Sequence, residues 1–457
     1  MLAVLAAAAA VLAPAGPSHA EAAGLTSTEV TFTGNGGVVL HGTVLARPGA
    51  TGRRPGLVML EGAGNRGRDY LRPDAEAYAR RGVVTLIYDK RTAGYSLLHR
   101  DYSVLADDAL AGLMLLRARP DVDPARLGFW ALSEGAFAAP IAASRSEDVK
   151  FLITVGAVGT TPAAETAWEY DEYLRHAGVT GAVSRGLREA VLPAAVDAGL
   201  FAESGFDPAP LWRRVRQPVL AEWGELDRDS VPAESMRIMR DALDAGGNTR
   251  YKLRVLPGVN HNLHVTAAEG FDRLPALPDN AAEVEVAWMQ SAAIVDAGAT
   301  GPALPAEGGT PASDSSAAAV GPAPWYHRTW PFLVTTLLLL AGFLAAPLRR
   351  RGGRTRAVWL TRWLAAAGPA VVVGTLAYLM FLLATAGKVT GPLVLGRPVP
   401  WLALELLTVA TTAAGIAAAV SWWRSGRGRR DRVRLGLSVG AALLLLPWVA
   451  SWGLLAP

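Results

Sequence analysis

After Trp330 the chain runs through four apolar stretches, about Trp330–Leu348, Trp363–Ala386, Pro400–Trp423 and Leu435–Leu455. At 1.5 Å of rise per residue each reaches the ~20 residues that cross a hydrocarbon core, so four transmembrane helices are predicted. Trp330, Trp363, Trp401, Trp422 and Trp423 stand at their ends, where interfacial anchors belong.

Charge follows these stretches. The first connection holds Arg349, Arg350, Arg351, Arg354, Arg356 and Arg362. The third holds Arg424, Arg427, Arg429, Arg430, Arg432 and Arg434, and the second only Lys388 and Arg397. Twelve arginines against the single acid Asp431 give a surplus of eleven positive charges in a 457-residue chain of net charge +4. The remainder is therefore acidic on balance. The basic character belongs to membrane flanks, and no nucleic-acid partner is expected. With both arginine loops in the cytoplasm, everything before Trp330 faces outward.

The other end agrees. Leu2 to Leu12 is an alanine-rich apolar run, followed by Pro14, Gly16, Pro17 and Ser18-His19-Ala20, which reads as a signal peptide over residues 1–20, although no Lys or Arg precedes the run. There are no cysteines, which excludes disulfides, thiolate nucleophiles and cysteine metal sites. Ala297 to Pro324 is rich in Ala, Gly, Pro, Ser and Thr and reads as a flexible linker. Glu405 lies inside the third apolar stretch, one turn from Trp401, where an ionisable group either marks a functional site or reaches the interface; the second reading is favoured.

Between these parts, short β-branched runs alternate with helical patterns, which predicts a mostly parallel sheet flanked by helices. The expected strands are Pro55–Glu61, Val83–Tyr88, Leu127–Leu132, Phe151–Val158, Pro218–Trp223 and Tyr251–Leu256, preceded by a hairpin turned at Asn35-Gly36-Gly37. Helices are expected near Pro73–Arg81, Ser103–Arg117, Gly135–Ser144, Pro232–Ala245 and Ala281–Ile294. A helical insertion, Thr161 to Val215, breaks the alternation and carries Trp168, Tyr170, Tyr173 and Trp212, read chiefly as packing residues.

The chemistry centres on Gly128-Phe129-Trp130-Ala131-Leu132-Ser133-Glu134-Gly135-Ala136. An apolar strand ends in a tight turn at Ser133 and a small-residue helix follows at once. A nucleophile elbow needs this order, with small residues two before and two after the serine, here Ala131 and Gly135. A serine hydroxyl also needs a base, oriented by a carboxylate. Downstream lie Gly224-Glu225-Leu226-Asp227-Arg228-Asp229 and Val259-Asn260-His261, each after an apolar strand and so at the same sheet edge. His261 is favoured as base, with His264 as the alternative. Asp227 is favoured as the acid over Asp229, the register being left open by a surplus residue before Val231-Pro232. For the oxyanion, the backbone N–H groups of Glu134 and of Ala63, in the loop Glu61-Gly62-Ala63-Gly64, are the candidates.

The runs Glu61–Asp69, Tyr88–Ser96, Ala131–Ala136, Gly224–Asp227 and Asn260-His261 resemble the α/β-hydrolases of the dienelactone-hydrolase and prolyl-oligopeptidase-like branch. Thr92-Ala93 departs from the Gly-x that commonly follows Asp-Lys-Arg there. The resemblance implies a Ser133-His261-Asp227 triad that hydrolyses esters, thioesters or sometimes peptides, with no metal or organic cofactor and with the 161–215 insertion as a lid. The expected plan is a signal peptide (1–20), an α/β-hydrolase domain (25–297), a linker (298–328) and a four-helix transmembrane domain (329–457). The chain is expected to be a multi-pass cell-membrane esterase acting outside on a small-molecule ester or peptide. The alternatives are a serine peptidase, or a non-catalytic ligand-binding unit on a transport or signalling tail.

Overall fold

The computed structural model describes residues 24–96, 98–278, 280–291, 294, 309–313, 315–345, 356–423 and 429–455. The expected signal peptide, part of the expected linker and parts of both arginine loops lie outside these residues.

A hairpin of β1 (Thr26–Thr33) and β2 (Val39–Ala46) precedes six strands: β3 (Arg54–Leu60), β4 (Val84–Tyr88), β5 (Val122–Leu132), β6 (Phe151–Val155), β7 (Val219–Gly224) and β8 (Tyr251–Leu256). Their spatial order is β1-β2-β4-β3-β5-β6-β7-β8. The β1–β2 and β2–β4 pairs are antiparallel and all others parallel. Helices α1 (Arg72–Arg80), α2 (Tyr102–Arg117) and α3 (Gly135–Arg145) lie between successive strands. This is the α/β-hydrolase fold.

The strands read as continuous apolar runs because both faces are covered. On β5, Phe129 and Ala131 join Val58, Leu60 and Leu152 in a cluster completed by α2, α3 and α8 (Pro232–Ala245). The alternate residues Trp130 and Leu132 join Met59, Ile153 and Val155 against α1 and α9 (Ala281–Gln290). This is the two-residue period of a strand.

The insertion folds as α4 (Pro162–His176), α5 (Ala182–Gly186), α6 (Leu192–Asp197) and α7 (Ala209–Trp212). Trp168, Tyr170, Tyr173 and Trp212 are all buried, as packing residues are. After it come α10 (Thr329–Leu344), α11 (Arg356–Ala384), α12 (Val399–Trp423) and α13 (Arg429–Ser451).

Among the described residues, three helices are long and apolar enough to cross a membrane: Trp359–Ala384, Val399–Ser421 and Val433–Ser451. This corrects the expectation of four. Helix α10 has only 16 described residues, about 24 Å of rise, short of a hydrocarbon core of roughly 30 Å. A second difference concerns the tryptophans. Trp330 is exposed, whereas Trp401 is buried with its ring 5.9 Å from that of Tyr378, so it packs between helices rather than facing outward.

The insertion docks on these helices. Leu174, Val179, Val183, Leu187 and Val191 share one apolar cluster with Phe343, Leu382, Trp401, Trp448 and Trp452. Polar contacts ring it: Tyr170 Oη donates to Leu383 O at 2.9 Å, Thr180 N to Gly396 O at 2.8 Å, and Thr329 N to Asp197 Oδ2 at 2.8 Å. The three polar contacts lie at the helix ends away from the arginine loops. Glu405 is there too, paired with Arg397 at 2.7 Å. Within the stretch read as a linker, residues 309–313 and 315–324 hold to the body: Ala312 N donates to Glu225 O, Ala317 N to Glu234 Oε2 and Trp168 Nε1 to Ser315 Oγ, each at 2.8 Å.

Candidate active site

Ser133 stands between β5 and α3 with φ +50°, a left-handed conformation costly for a non-glycine residue. Its own N–H donates to Val155 O of β6 at 2.9 Å, and its carbonyl accepts from Ala136 N at 2.8 Å. Helix α3 leaves the turn against the end of β3. A Cβ on Gly135 would lie 2.9 Å from both Cβ and O of Leu60, so only glycine fits. That contact is the reason for the small residue two places after the serine. Ser133 is half-buried, and Oγ has no hydrogen-bond partner among the described residues.

The residue after Val155 brings His261 to this turn. Gly156 has φ +57°, and a Cβ there would sit 2.4 Å from Cε1 and 2.5 Å from Nδ1 of His261. The imidazole therefore lies on the backbone of Gly156, one residue from the carbonyl that holds Ser133. Its Nδ1 is 3.0 Å from Asp227 Oδ2, so Nε2 is the ring nitrogen that does not face the carboxylate. The chain reaches His261 past Gly224, where a Cβ would lie 2.2 Å from Asn260 O. Asn260 shapes the turn, its Oδ1 accepting from Asn262 N and His264 N at 3.0 Å.

The two pairs left open by the sequence separate cleanly. Asp227 faces His261, and Asp229 is not hydrogen-bonded to it. Asp229 N instead donates to Asp227 Oδ1 at 2.8 Å, while Asp229 Oδ1 is buried without a partner. His264 is spoken for elsewhere, with Nδ1 2.8 Å from Leu274 O and Nε2 2.8 Å from Arg273 Nη2. Ser230, which the sequence did not single out, donates from N (3.0 Å) and Oγ (2.5 Å) to Asp227. Next to it Val231 has φ +50°, and this left-handed turn accommodates the surplus residue.

Burial opposes charge on both members of the pair, but their proximity wins. Asp227 is held below the usual carboxylate range by His261 and by its Ser230 and Asp229 donors. Burial alone would keep His261 neutral; the Asp227 carboxylate, backed by Asp229 and Glu165, pushes it up to about 9. The acids facing it come from α4 as well. Burial, with Glu169 beside it, raises Glu165 well above the usual range, and burial with Asp229 pushes Glu169 up to about 7 against the pull of Lys388.

Both proposed oxyanion donors are unoccupied: neither Ala63 N nor Glu134 N has an acceptor among the described residues. The Gly62 backbone lies beside the serine, since a Cβ on Gly62 would be 3.3 Å from Ser133 Cβ. Around this loop the structure gathers charges that sequence reasoning left unassigned. Lys90, Tyr95 and Arg100 surround the Glu134 carboxylate at 2.9, 2.7 and 3.0 Å. The only signal was the Asp-Lys-Arg run after β4, whose burial is not visible in sequence. No group of three or more His, Cys, Asp or Glu able to hold a metal occurs among the described residues.

No family model matches the chain. A polyketide transferase of Penicillium crustosum is 30% identical over 135 residues, which are 28% of this chain and 44% of that protein, so the chain spans less than half of that relative. Among solved structures, DcsB in complex with its substrate analogue is 19% identical with a TM-score of 0.36, covering 51% of this chain and 90% of that one. A putative dienelactone hydrolase of Klebsiella pneumoniae is 14% identical with a TM-score of 0.38, covering 57% and 94%. An esterase of Pyrococcus furiosus is 18% identical with a TM-score of 0.37, covering 51% and 84%.

Proposed function

We propose that the chain is a membrane-anchored serine hydrolase that cleaves ester or thioester bonds through an acyl-enzyme on Ser133. The observation that carries this reading is the seating of the His261 ring on Gly156, beside the strained turn of Ser133, with Asp227 behind it. His261 Nε2 takes the Ser133 hydroxyl proton while Oγ attacks the substrate carbonyl carbon. The oxyanion forms against the N–H groups of Ala63 and Glu134. The tetrahedral adduct then collapses, and the leaving alcohol or thiol departs with the proton from His261. Water, deprotonated by the same ring, releases the acid. Asp227 holds Nδ1–H and balances the imidazolium. The curated relative's name as a transferase fits the same intermediate, with an acceptor other than water taking the acyl group.

The apolar helices anchor the hydrolase in this reading, and it faces outward. Docking of the insertion on the helix ends opposite the arginine loops agrees with the positive-inside rule.

A second reading has one observation in its favour. Asp229 and Glu169 gather on the side of His261, where they would attract an ammonium group and so an aminoacyl amide or peptide. Hydrolysis of p-nitrophenyl esters of graded chain length, beside aminoacyl amides, separates the two in the full-length protein. Turnover of esters lost in Ser133→Ala supports the first reading. Turnover of amides alone supports the second, and turnover retained in Ser133→Ala contradicts both.

A further inference from the structure

Lys90 is 7% exposed, and its ammonium has a full set of partners. It donates to Gly62 O, to Glu134 Oε1 at 2.9 Å and to Tyr95 Oη at 3.2 Å, three acceptors for three N–H groups. Tyr95 Oη donates to Glu134 Oε1 and accepts from Gly64 N at 3.0 Å, while Arg100 holds Glu134 Oε2 at 3.0 Å. Burial works against the Glu134 carboxylate, but Lys90 and Arg100 keep it below its ordinary range. Burying such charges is expensive, and packing would be served as well by apolar side chains.

What the cluster touches accounts for it. In a trans peptide the carbonyl and the following N–H point in opposite directions. Gly62 O and Ala63 N–H belong to one peptide, so a cation that pins the carbonyl also aims the N–H. The pin is needed because the loop is loose, with Gly62 on one side and Gly64, at φ +94°, on the other. The second donor is tied to the same cation: Glu134 offers its main-chain N–H at the elbow and anchors Lys90 with its side chain.

We infer that Lys90 is a positioning residue of the oxyanion hole, clamping the Gly62–Ala63 peptide so that the Ala63 N–H faces the reacting carbonyl oxygen. The inference rests on the reading of Ser133 as nucleophile. It assigns Tyr95 the lesser task of fixing Gly64 N–H and the Lys90 head group.

The test uses full-length protein in nanodiscs and the best p-nitrophenyl ester. Lys90→Met should lower kcat by roughly 10²–10³-fold, the effect of losing one oxyanion donor, with KM within about threefold because ground-state contacts remain. A fluorophosphonate should still label Ser133 in this variant, more slowly. If Lys90→Met does not fold, Tyr95→Phe decides, with kcat down by about tenfold at unchanged KM, a loss of one weaker hydrogen bond. A kcat within twofold of wild type in the deciding variant, or a loss expressed in KM alone, overturns the inference. Ser133→Ala keeps the two claims apart. If it retains activity the nucleophile reading fails, whereas if it is inactive and Lys90→Met turns over normally, only the clamp fails.

Discussion

Lys388, in the connection between α11 and α12, pairs with Glu169 of α4 at 3.4 Å and stands 4.3 Å above the ring of Tyr173. A residue from the apolar-helix region thus reaches the helix that carries the acids facing His261. The same helix buries Tyr170 and Leu174 in the cluster shared with the apolar helices, so insertion and apolar helices form one packed unit.

That unit should be held by apolar burial more than by the ion pair. Lys388 is 46% exposed along its side chain, so Lys388→Met should lower stability by less than about 1 kcal/mol. Val183→Asp, which leaves a carboxylate unpaired in the cluster, should lower it by roughly 3–5 kcal/mol. Thermal melts of the two variants in nanodiscs check the order, and equal losses would contradict it.

The electrostatics of His261 set a pH dependence. Only the neutral ring acts as base, so kcat/KM for ester hydrolysis should climb with pH along a limb centred near 9, where the ring is placed. Asp229→Asn removes a negative charge facing the ring and should move that limb to lower pH. The stability linkage has the opposite slope. The folded value lies above the ordinary 6.5, so this contribution is complete below about 6.5 and fades as pH rises through about 9. A pH–rate profile already flat above pH 7 would contradict the placement.

Gly156 should tolerate no side chain. Gly156→Ala puts a methyl into the His261 ring and a Cβ on a φ of +57°. The displaced ring should lose about 10²-fold in kcat, the effect of a misplacement near 1 Å. Steady-state kinetics on protein shown to be folded by its melt checks this, and a loss below about threefold would contradict it.

Orientation can be read chemically because the chain has no cysteine. Leu395, between β9 (Leu393–Val394) and β10 (Arg397–Pro398), is 94% exposed at the end of the bundle that meets the insertion. Leu395→Cys should be labelled in intact cells by a membrane-impermeant maleimide. Labelling only after lysis would reverse the topology.

Much of the sheet was legible because strand and helix periods are written in side-chain polarity: all six strands after the hairpin appear, within three residues at their ends except β5, which begins at Val122 rather than Leu127. The elbow was legible because Ala131, Ser133 and Gly135 satisfy a steric demand that few other residues meet. Other features were invisible for physical reasons. Spacing alone could not choose between Asp227 and Asp229, since a left-handed Val231 absorbs the extra residue. The side-chain cluster of Lys90, Arg100 and Glu134 went unassigned, because charged residues betray their burial only in three dimensions. The acids Glu165 and Glu169 hide in a helix whose other face packs, and their approach to His261 comes from docking. Hydropathy gave the apolar segments but overstated one of them, since composition does not say where the described helix stops.

The most direct measurement is fluorophosphonate labelling of the full-length protein in nanodiscs, with the modified peptide mapped by mass spectrometry. A single adduct on Ser133, lost in Ser133→Ala and strongly slowed in His261→Ala, is the predicted result. Folded protein that takes up no probe, or takes it up at another residue, would contradict the account.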